Sequence, residues 1–154
     1  MPDQIVIRPC SLAEIEQSAE LERLLAEYGV ESSIAEIGTP APCMATYRGM
    51  AASGVLHIVG AFAPELVGLA SVLIFGLPHY AGRRVASMES FYVLPEARSG
   101  GTGLRLLHVA EDLARELGAQ ALMVSAPAGG RLATVMERTA GYRETNRVFT
   151  RGLA

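Results

Sequence analysis

The segment formed by residues 88–103, which reads MESFYVLPEARSGGTG, constrains the fold more than any other part of this sequence. It starts with strand-forming residues, passes Pro95 and ends in three glycines before an amphipathic helix. Because glycine has no Cβ atom, such a turn lets a ligand approach the backbone closely. The first amides of a helix lack internal partners and lie at the positive end of its dipole. The segment therefore predicts either a phosphate-binding turn or a plain strand-to-helix connection.

Length and composition indicate one domain spanning residues 1–154. A chain of 154 residues is long enough to bury ~68–70% of the surface that its unfolded form exposes. The longest apolar run, residues 66–77, is too short to cross a bilayer, and the first residues do not resemble a secretory signal. The net charge of -3 and the absence of a basic run argue against nucleic acid as a partner. We expect a soluble, cytoplasmic protein that binds neither nucleic acid nor membrane.

The residue types present exclude several chemistries. There is no lysine, which excludes a P-loop lysine and a Schiff-base mechanism. Cys10 and Cys43 are isolated and fit the pattern of buried thiols better than that of metal or redox sites. The three histidines are scattered along the chain, so we expect no metal.

The first third of the chain predicts a strand and then helices. Residues 5–8 form a β-rich run, and Ser11 and Glu14 follow in capping-box spacing. Apolar residues then recur at helical intervals up to Tyr28, which predicts one helix ending at Gly29. The following region is ambiguous, with a second helix expected to start near Pro42 and to end before residue 54.

The middle of the chain predicts three strands. Residues 55–63 and 66–75 are separated by a tight turn at Pro64 and Glu65, which indicates an antiparallel hairpin. A third strand should cover residues 85–93. The loop between them, residues 76–84, either borders a substrate pocket or lies in water.

After the glycines, the sequence predicts a βαβ unit. Apolar residues from Leu106 to Leu117 form one helical face, Gly118 ends the helix, and residues 121–125 form a continuous apolar run typical of a buried strand. A last helix over residues 132–139 should end at Gly141, with one or two short strands in residues 142–153. The expected fold class is α/β (α+β), a mixed sheet flanked by helices with its ligand at the carboxyl end of the strand before the glycines.

Two common nucleotide-binding patterns do not fit the glycine turn. The dinucleotide fingerprint needs a third glycine where Leu106 stands and an acidic residue ~20 positions later, where the chain has residues 122–125. The phosphate-binding loop of nucleoside triphosphatases needs a lysine. An anion-binding turn of another kind remains.

The turn resembles that of the GNAT superfamily of acyl-CoA dependent N-acetyltransferases. The resemblance is carried by five residues that fit the family pattern V-x-P-x-x-R-x-x-G-x-G, namely Val93, Pro95, Arg98, Gly101 and Gly103. The order of predicted elements fits this family over nearly the whole chain.

The resemblance implies acetyl-CoA as the cosubstrate and an amine-bearing acceptor. It implies that the pyrophosphate is held by amides of the turn, at Arg98, Ser99, Gly100, Gly101, Thr102 and Gly103. It also implies that the pantetheine arm pairs with the backbone of Phe91, Tyr92 and Val93, where the strand splays away from residues 121–125.

Glu89 is the candidate general base, because an ammonium group must lose a proton before it attacks. Several GNAT enzymes place a catalytic glutamate four residues before the valine of the pattern. Strand alternation predicts that Glu89 shares a face with Phe91 and Val93. In the alternative interpretation, Glu89 forms an ion pair with Arg83 or Arg84.

The general acid is where the sequence departs from the family. Many GNAT enzymes carry N-x-x-A-x-x-L-Y before a Gly-aromatic pair, with the tyrosine protonating the leaving thiolate. Counted back from Gly141 and Tyr142, this chain has Gly130 and Glu137 in place of asparagine and tyrosine. Water, Glu137 or another tyrosine are the candidate substitutes, and Tyr142 itself corresponds to a core-packing aromatic.

These observations leave two main hypotheses. The first is an N-acetyltransferase that passes an acetyl group directly from acetyl-CoA to a primary amine. The second is a catalytically degenerate relative that binds acyl-CoA as a sensor or interaction module. A third is an unrelated phosphate-binding module. A homodimer formed through the hairpin or the C-terminal strand is a further expectation.

Overall fold

The structure of the chain, a computed structural model, describes residues 4–154 and contains a five-stranded mixed sheet with helices on both faces. The strands are β1 (Val6–Cys10), β2 (Leu56–Ala63), β3 (Glu65–Gly76), β4 (Arg84–Val93) and β5 (Leu122–Val124). The helices are α1 (Leu12–Glu16), α2 (Leu21–Ser32), α3 (Met44–Ala52), α4 (Thr102–Glu116) and α5 (Arg131–Arg138). The first four strands pair antiparallel in sequence order, and β5 pairs parallel to β4. The predicted mixed sheet, hairpin and βαβ unit are confirmed.

The sheet separates two apolar clusters, which fixes the position of each helix. Helix α4 covers one face with a buried stripe that includes Leu106, Leu107 and Ala110, packed on residues of β2, β3 and β4. Helices α1, α2 and α3 cover the other face, where Ile15 and Leu24 are buried. Between residues 4 and 154, no helix combines the length and the apolar character needed to cross a membrane.

The single helix predicted for residues 12–28 is wrong, because the chain breaks between α1 and α2. The hydroxyl of Ser18 accepts a hydrogen bond from the amide of Glu20 at 3.3 Å, in competition with the helical pattern. The helix also continues through Gly29 to Ser32. Gly29 fits closely there, since a Cβ atom on it would lie 3.2 Å from the side chain of Thr39, which would have to shift by a few tenths of an ångström.

The strands predicted for the C-terminal residues are also wrong. Residues 142–154 contain no helix or strand, although Tyr142 itself packs against the cluster beneath α4. Its hydroxyl donates to Glu111 Oε1 at 2.7 Å, and the pKa of Tyr142 is raised by burial and by this hydrogen bond to a carboxylate. The packing role expected for Tyr142 is confirmed.

Candidate active site

Strands β4 and β5 part after a short stretch of pairing. They pair only where Ala86–Met88 faces Leu122–Val124, whereas β4 continues beside β3 as far as Val93. Among residues 4–154, no strand covers the other side of the last part of β4. The amide of Leu94 donates to the carbonyl of Val67 at 2.8 Å. Because antiparallel pairing alternates, the main chain of Tyr92 then points to β3, and the amides of Phe91 and Val93 point into the gap.

The turn after β4 ends in an uncapped helix. Gly100 and Gly101 have φ angles of 71° and 75°, in the left-handed region that other residues rarely adopt. No side chain of residues 4–154 caps the N-terminus of α4, and the first turn of this helix holds no acidic residue. The hydroxyl of Thr102 is buried and donates to the carbonyl of Ser99 at 3.2 Å. The first amides of α4 therefore remain available to an anion.

The side chain of Arg98 connects this turn to β4 and α2. Its Nε donates to the carbonyl of Val93 at 2.8 Å, and its guanidinium contacts Glu31 of α2 at 2.8 Å. The guanidinium carbon also lies 5.1 Å from the centre of the Tyr92 ring. The side chain of Arg98 is therefore engaged by protein groups and fixes the glycine turn relative to β4 and α2.

A cleft of about 260 Å³ occupies the gap between β4 and β5 and extends from the glycine turn to α5. Most of the residues that the sequence predicted to bind the cosubstrate line this cleft. They are Phe91, Tyr92, Val93, Arg98, Gly101 and Gly103. Sequence reasoning missed the opposite wall, which consists of Val124, Arg131, Leu132, Val135 and Met136. Nothing in the local sequence of α5 indicates which of its faces meets the cleft.

Glu89 occupies a β-bulge, and this corrects the predicted face. Ser71 pairs with Ser90 and Val72 pairs with Met88, so Glu89 is an extra residue in β4. The bulge reverses the alternation. Met88, Phe91 and Val93 pack beneath α4, whereas the carboxylate of Glu89 lies on the face covered by α1, α2 and α3.

Two hydroxyl groups hold the carboxylate of Glu89. Tyr47 of α3 donates to its Oε1 at 2.6 Å, and Ser71 of β3 donates to its Oε2 at 2.6 Å. Burial raises the pKa of Tyr47, and the hydrogen bond to Glu89 raises it further, so the phenol keeps its proton and remains a donor. Within the described chain, no ion pair joins Glu89 to Arg83 or Arg84. The alternative pairing is wrong.

Glu137, one of the candidate general acids, lies outside the cleft. It is exposed on α5 and follows Met136, which lines the cleft. Each residue advances a helix by about 100°, so Glu137 points away from the side formed by Arg131, Leu132 and Val135. The structure therefore separates Glu137 from the gap between the strands.

The opened pair of parallel strands, with an uncapped helix beginning beside it, defines an α/β fold of the N-acyltransferase class. Residues 20–135 match the family model described as Acetyltransferase (GNAT) family. The match covers most of the chain, which therefore belongs to the GNAT acetyltransferase family. The resemblance carried by the residues around Gly101 is confirmed.

Solved structures agree with this fold. One is a ribosomal-protein-alanine N-acetyltransferase from Brucella melitensis biovar Abortus 2308, with a TM-score of 0.73, 20% identity, and coverage of 96% of this chain and 97% of that chain. Another is the aminoglycoside acetyltransferase meta-AAC0020 from an uncultured soil metagenomic sample, in complex with sisomicin, with a TM-score of 0.75, 14% identity and 97% coverage of both chains. A third is AAC(6')-Iy in complex with the bisubstrate analog CoA-S-monomethyl-acetylneamine, with a TM-score of 0.69, 17% identity, and coverage of 96% and 97%.

The similarity to these structures extends to the fold alone. A search of curated protein sequences gave no significant match. These comparisons do not identify the acceptor of this chain, which has to be inferred from the residues of the site.

Two of the three glycines in this segment, Gly101 and Gly103, should respond differently to alanine. Gly101→Ala should lower the free energy of unfolding by about 1–2 kcal/mol, because an alanine strains at a φ of 75°. Gly103→Ala should cause no loss, because this residue is helical and an added Cβ atom would lie 4.0 Å from the Phe91 ring. Chemical denaturation of both variants measures the difference, and equal losses would contradict the backbone conformation described for the turn.

Proposed function

We propose that this chain is an N-acetyltransferase that transfers an acetyl group from acetyl-CoA directly to a primary amine. The observation that carries the proposal is the open side of β4 directly beside the uncapped start of α4. An unpaired strand edge can bind an extended amide-containing arm, and helix amides can bind a phosphate group. Coenzyme A contains both groups in one molecule.

In the proposed complex, main-chain amides hold most of the cosubstrate. The pyrophosphate lies against the amides of residues 99–103, and the guanidinium of Arg131 at the cleft wall adds positive charge. The amides of Phe91 and Val93 bind the pantetheine arm. Tyr92 contributes its ring to the wall, since its main chain pairs with β3. The neighbouring structure named with a CoA bisubstrate analog supports this class of ligand.

The proposed reaction uses both faces of β4. The amine nitrogen attacks the thioester carbonyl carbon, the C–S bond breaks, and coenzyme A leaves as a thiolate. The proton lost by the amine passes to Glu89, directly or through one water. A carboxylate has about four acceptor positions, so the hydrogen bonds from Tyr47 and Ser71 leave room for this proton. An amide of β4 facing the gap stabilises the negative charge that develops on the carbonyl oxygen.

The leaving group needs little assistance in this proposal. A thiol of this kind has a pKa of about 8.5, so its thiolate leaves readily near neutral pH. The outward position of Glu137 is then compatible with turnover. The amine reaches Glu89 from the face that carries α3, because Tyr47 of α3 contacts the carboxylate. Primary amines are the shared chemistry that we propose for the acceptor, in line with the aminoglycoside and ribosomal-protein alanine named for structural neighbours.

The second candidate function is an acyl-CoA sensor without turnover. The observation that favours it is the absence of an ionisable acid on the α5 wall of the described cleft, where Glu137 turns outward. Both functions require coenzyme A to bind, and they differ only in acetyl transfer.

Binding and turnover should be measured together. We expect coenzyme A at 100 times its Kd to raise the free energy of unfolding by about 2.7 kcal/mol, which thermal denaturation detects. We also expect free thiol to accumulate when acetyl-CoA is mixed with the protein and a panel of primary amines. Cys43 is exposed, and hydrogen bonds from Thr46 lower its pKa, so a Cys43→Ser background removes the exposed protein thiol that would consume the thiol reagent.

Three outcomes distinguish the hypotheses. Stabilisation with amine-dependent thiol release supports the transferase. Stabilisation without release for any amine supports the sensor. The absence of stabilisation contradicts both and leaves a module for another phosphate ligand.

The assignment of the base predicts a contrast between two glutamates. Glu89→Gln should lower kcat/KM by roughly 100-fold or more near neutral pH, where the amine is protonated, because an amide cannot accept the proton of the amine. The loss should shrink towards high pH, where the amine is free without a base. Glu137→Gln makes the same chemical change on the outward face of α5 and should leave kcat/KM unchanged. Steady-state kinetics over a range of pH measure both, and an unchanged rate for Glu89→Gln would show that another group takes the proton.

A further inference from the structure

A buried hydroxyl group lies directly behind the carboxylate of Glu89. It belongs to Ser71 in the middle of β3, and this residue is only 2% exposed. A hydroxyl costs free energy in the interior unless its proton and its lone pairs find partners. The contacts that Ser71 makes therefore indicate its role.

The hydrogen bonds of Ser71 have a fixed direction. Its Oγ lies 2.6 Å from Oε2 of Glu89, 2.6 Å from Oγ of Ser90 and 3.1 Å from the amide nitrogen of Ser90. An ionised carboxylate only accepts hydrogen bonds, so Ser71 donates its single proton to Glu89. The hydroxyl and the amide of Ser90 then donate to the two lone pairs of Ser71. The hydrogen bonds thus run in one order, from Ser90 to Ser71 and from Ser71 to Glu89.

These contacts connect the carboxylate to the β-bulge. Ser71 and Ser90 face each other across β3 and β4, at the register step that makes Glu89 the extra residue. A bulged residue has no partner of its own in the facing strand, so strand pairing alone does not fix the direction of its side chain. The hydroxyl of Ser71 contacts both the main chain of the bulge and the carboxylate, and it thereby fixes one relative to the other.

The two oxygens of the carboxylate have separate donors. Ser71 donates to Oε2 from within the sheet, and Tyr47 donates to Oε1 from α3. Rotation of the carboxylate about its last bond would break both hydrogen bonds. The lone pairs that remain free on Glu89 therefore keep a constant direction.

We propose that Ser71 is a positioning residue for the proposed base. Its hydroxyl, ordered by Ser90, holds the carboxylate of Glu89 in the orientation that receives the proton of the amine. Ser71 is buried behind this carboxylate and contacts neither acetyl-CoA nor the acceptor. The inference rests on the proposed function, because it requires proton transfer from the amine to Glu89.

Steady-state kinetics of Ser71→Ala in the full chain test this role near neutral pH. The kcat should fall by about 10-fold or more, because a small displacement of a reacting group costs a large part of the rate. The KM for the amine and the Kd for coenzyme A should stay within about twofold, because the lost contact acts on the transition state alone. Ser71→Thr keeps the hydroxyl and should restore most of the kcat. Ser53→Ala removes a hydroxyl that donates to the carbonyl of Met50 at the end of α3, and should leave the kcat unchanged.

A double variant separates positioning from general damage to the fold. Ser71→Ala/Glu89→Gln should have the same kcat as Glu89→Gln alone, because a residue that acts through Glu89 has nothing to position once the base is removed. A merely structural role predicts that the two losses multiply. This comparison decides between the two roles even if Ser71→Thr does not fold.

The outcomes distinguish this role from the proposed function. A fall in kcat with unchanged KM, which is absent on the Glu89→Gln background, is the expected result. An unchanged kcat in Ser71→Ala, or losses that multiply in the double variant, would overturn the positioning role and leave the N-acetyltransferase assignment intact. Absence of turnover by the unmodified chain with every amine would contradict the proposed function itself and would overturn the positioning role with it.

Discussion

The parting of β4 and β5 is the constraint on which the rest of the site depends. Nine residue pairs hold β4 against β3, whereas three pairs join it to β5. The strong pairing on one side keeps the last residues of β4 extended, although no strand within residues 4–154 covers the other side. Buried main-chain groups need partners, so an extended edge beside a cleft favours a ligand that can supply them. The glycine turn and α4 then follow at the end of the same edge.

The bulge at Glu89 places the residues of the proposed site on two opposite faces of β4. Beyond the bulge, Phe91 and Val93 lie on the side of α4 and the cleft, while Glu89 lies beneath α3. The proposed cosubstrate and the proposed base therefore belong to one short segment of one strand and approach the reacting atoms from different directions. In a regular strand, Glu89 would point to the same side as Phe91, and the acceptor would compete with the cosubstrate for space.

The sequence predicted those parts of the site that depend on residues close together in the chain. The glycines, the amphipathic stripe of α4 and the strand before them are local signals, and they placed the turn correctly. The partners of Glu89 could not be predicted, because Tyr47 and Ser71 lie 42 and 18 residues away and no pattern links them to it. The bulge was missed for a similar reason. Register is fixed by pairing with β3, and the sequence of β4 alone reads as a regular strand.

Two errors outside the site have physical causes in particular residues. The hydroxyl of Ser18 competes with the helix for an amide, which divided one predicted helix into α1 and α2. The segment after Tyr142 does have the composition of a strand, but a strand forms only where an edge is available to pair with it. Among residues 4–154, no strand edge pairs with this segment, and the availability of an edge is information that periodicity does not contain.

We propose that main-chain amides of β4 and of the turn bind coenzyme A, and amide exchange measured by NMR tests this binding most directly. Isotope-labelled protein saturated with coenzyme A should show slowed exchange at the amides of Phe91 and Val93, together with shifted signals at Gly101 and Gly103. The amide of Tyr92, which points to β3, serves as the internal control: it should exchange slowly already without ligand, and ligand should slow it only by the amount that it stabilises the whole chain. Saturation that leaves the amides of Phe91, Val93, Gly101 and Gly103 unchanged would contradict this mode of binding.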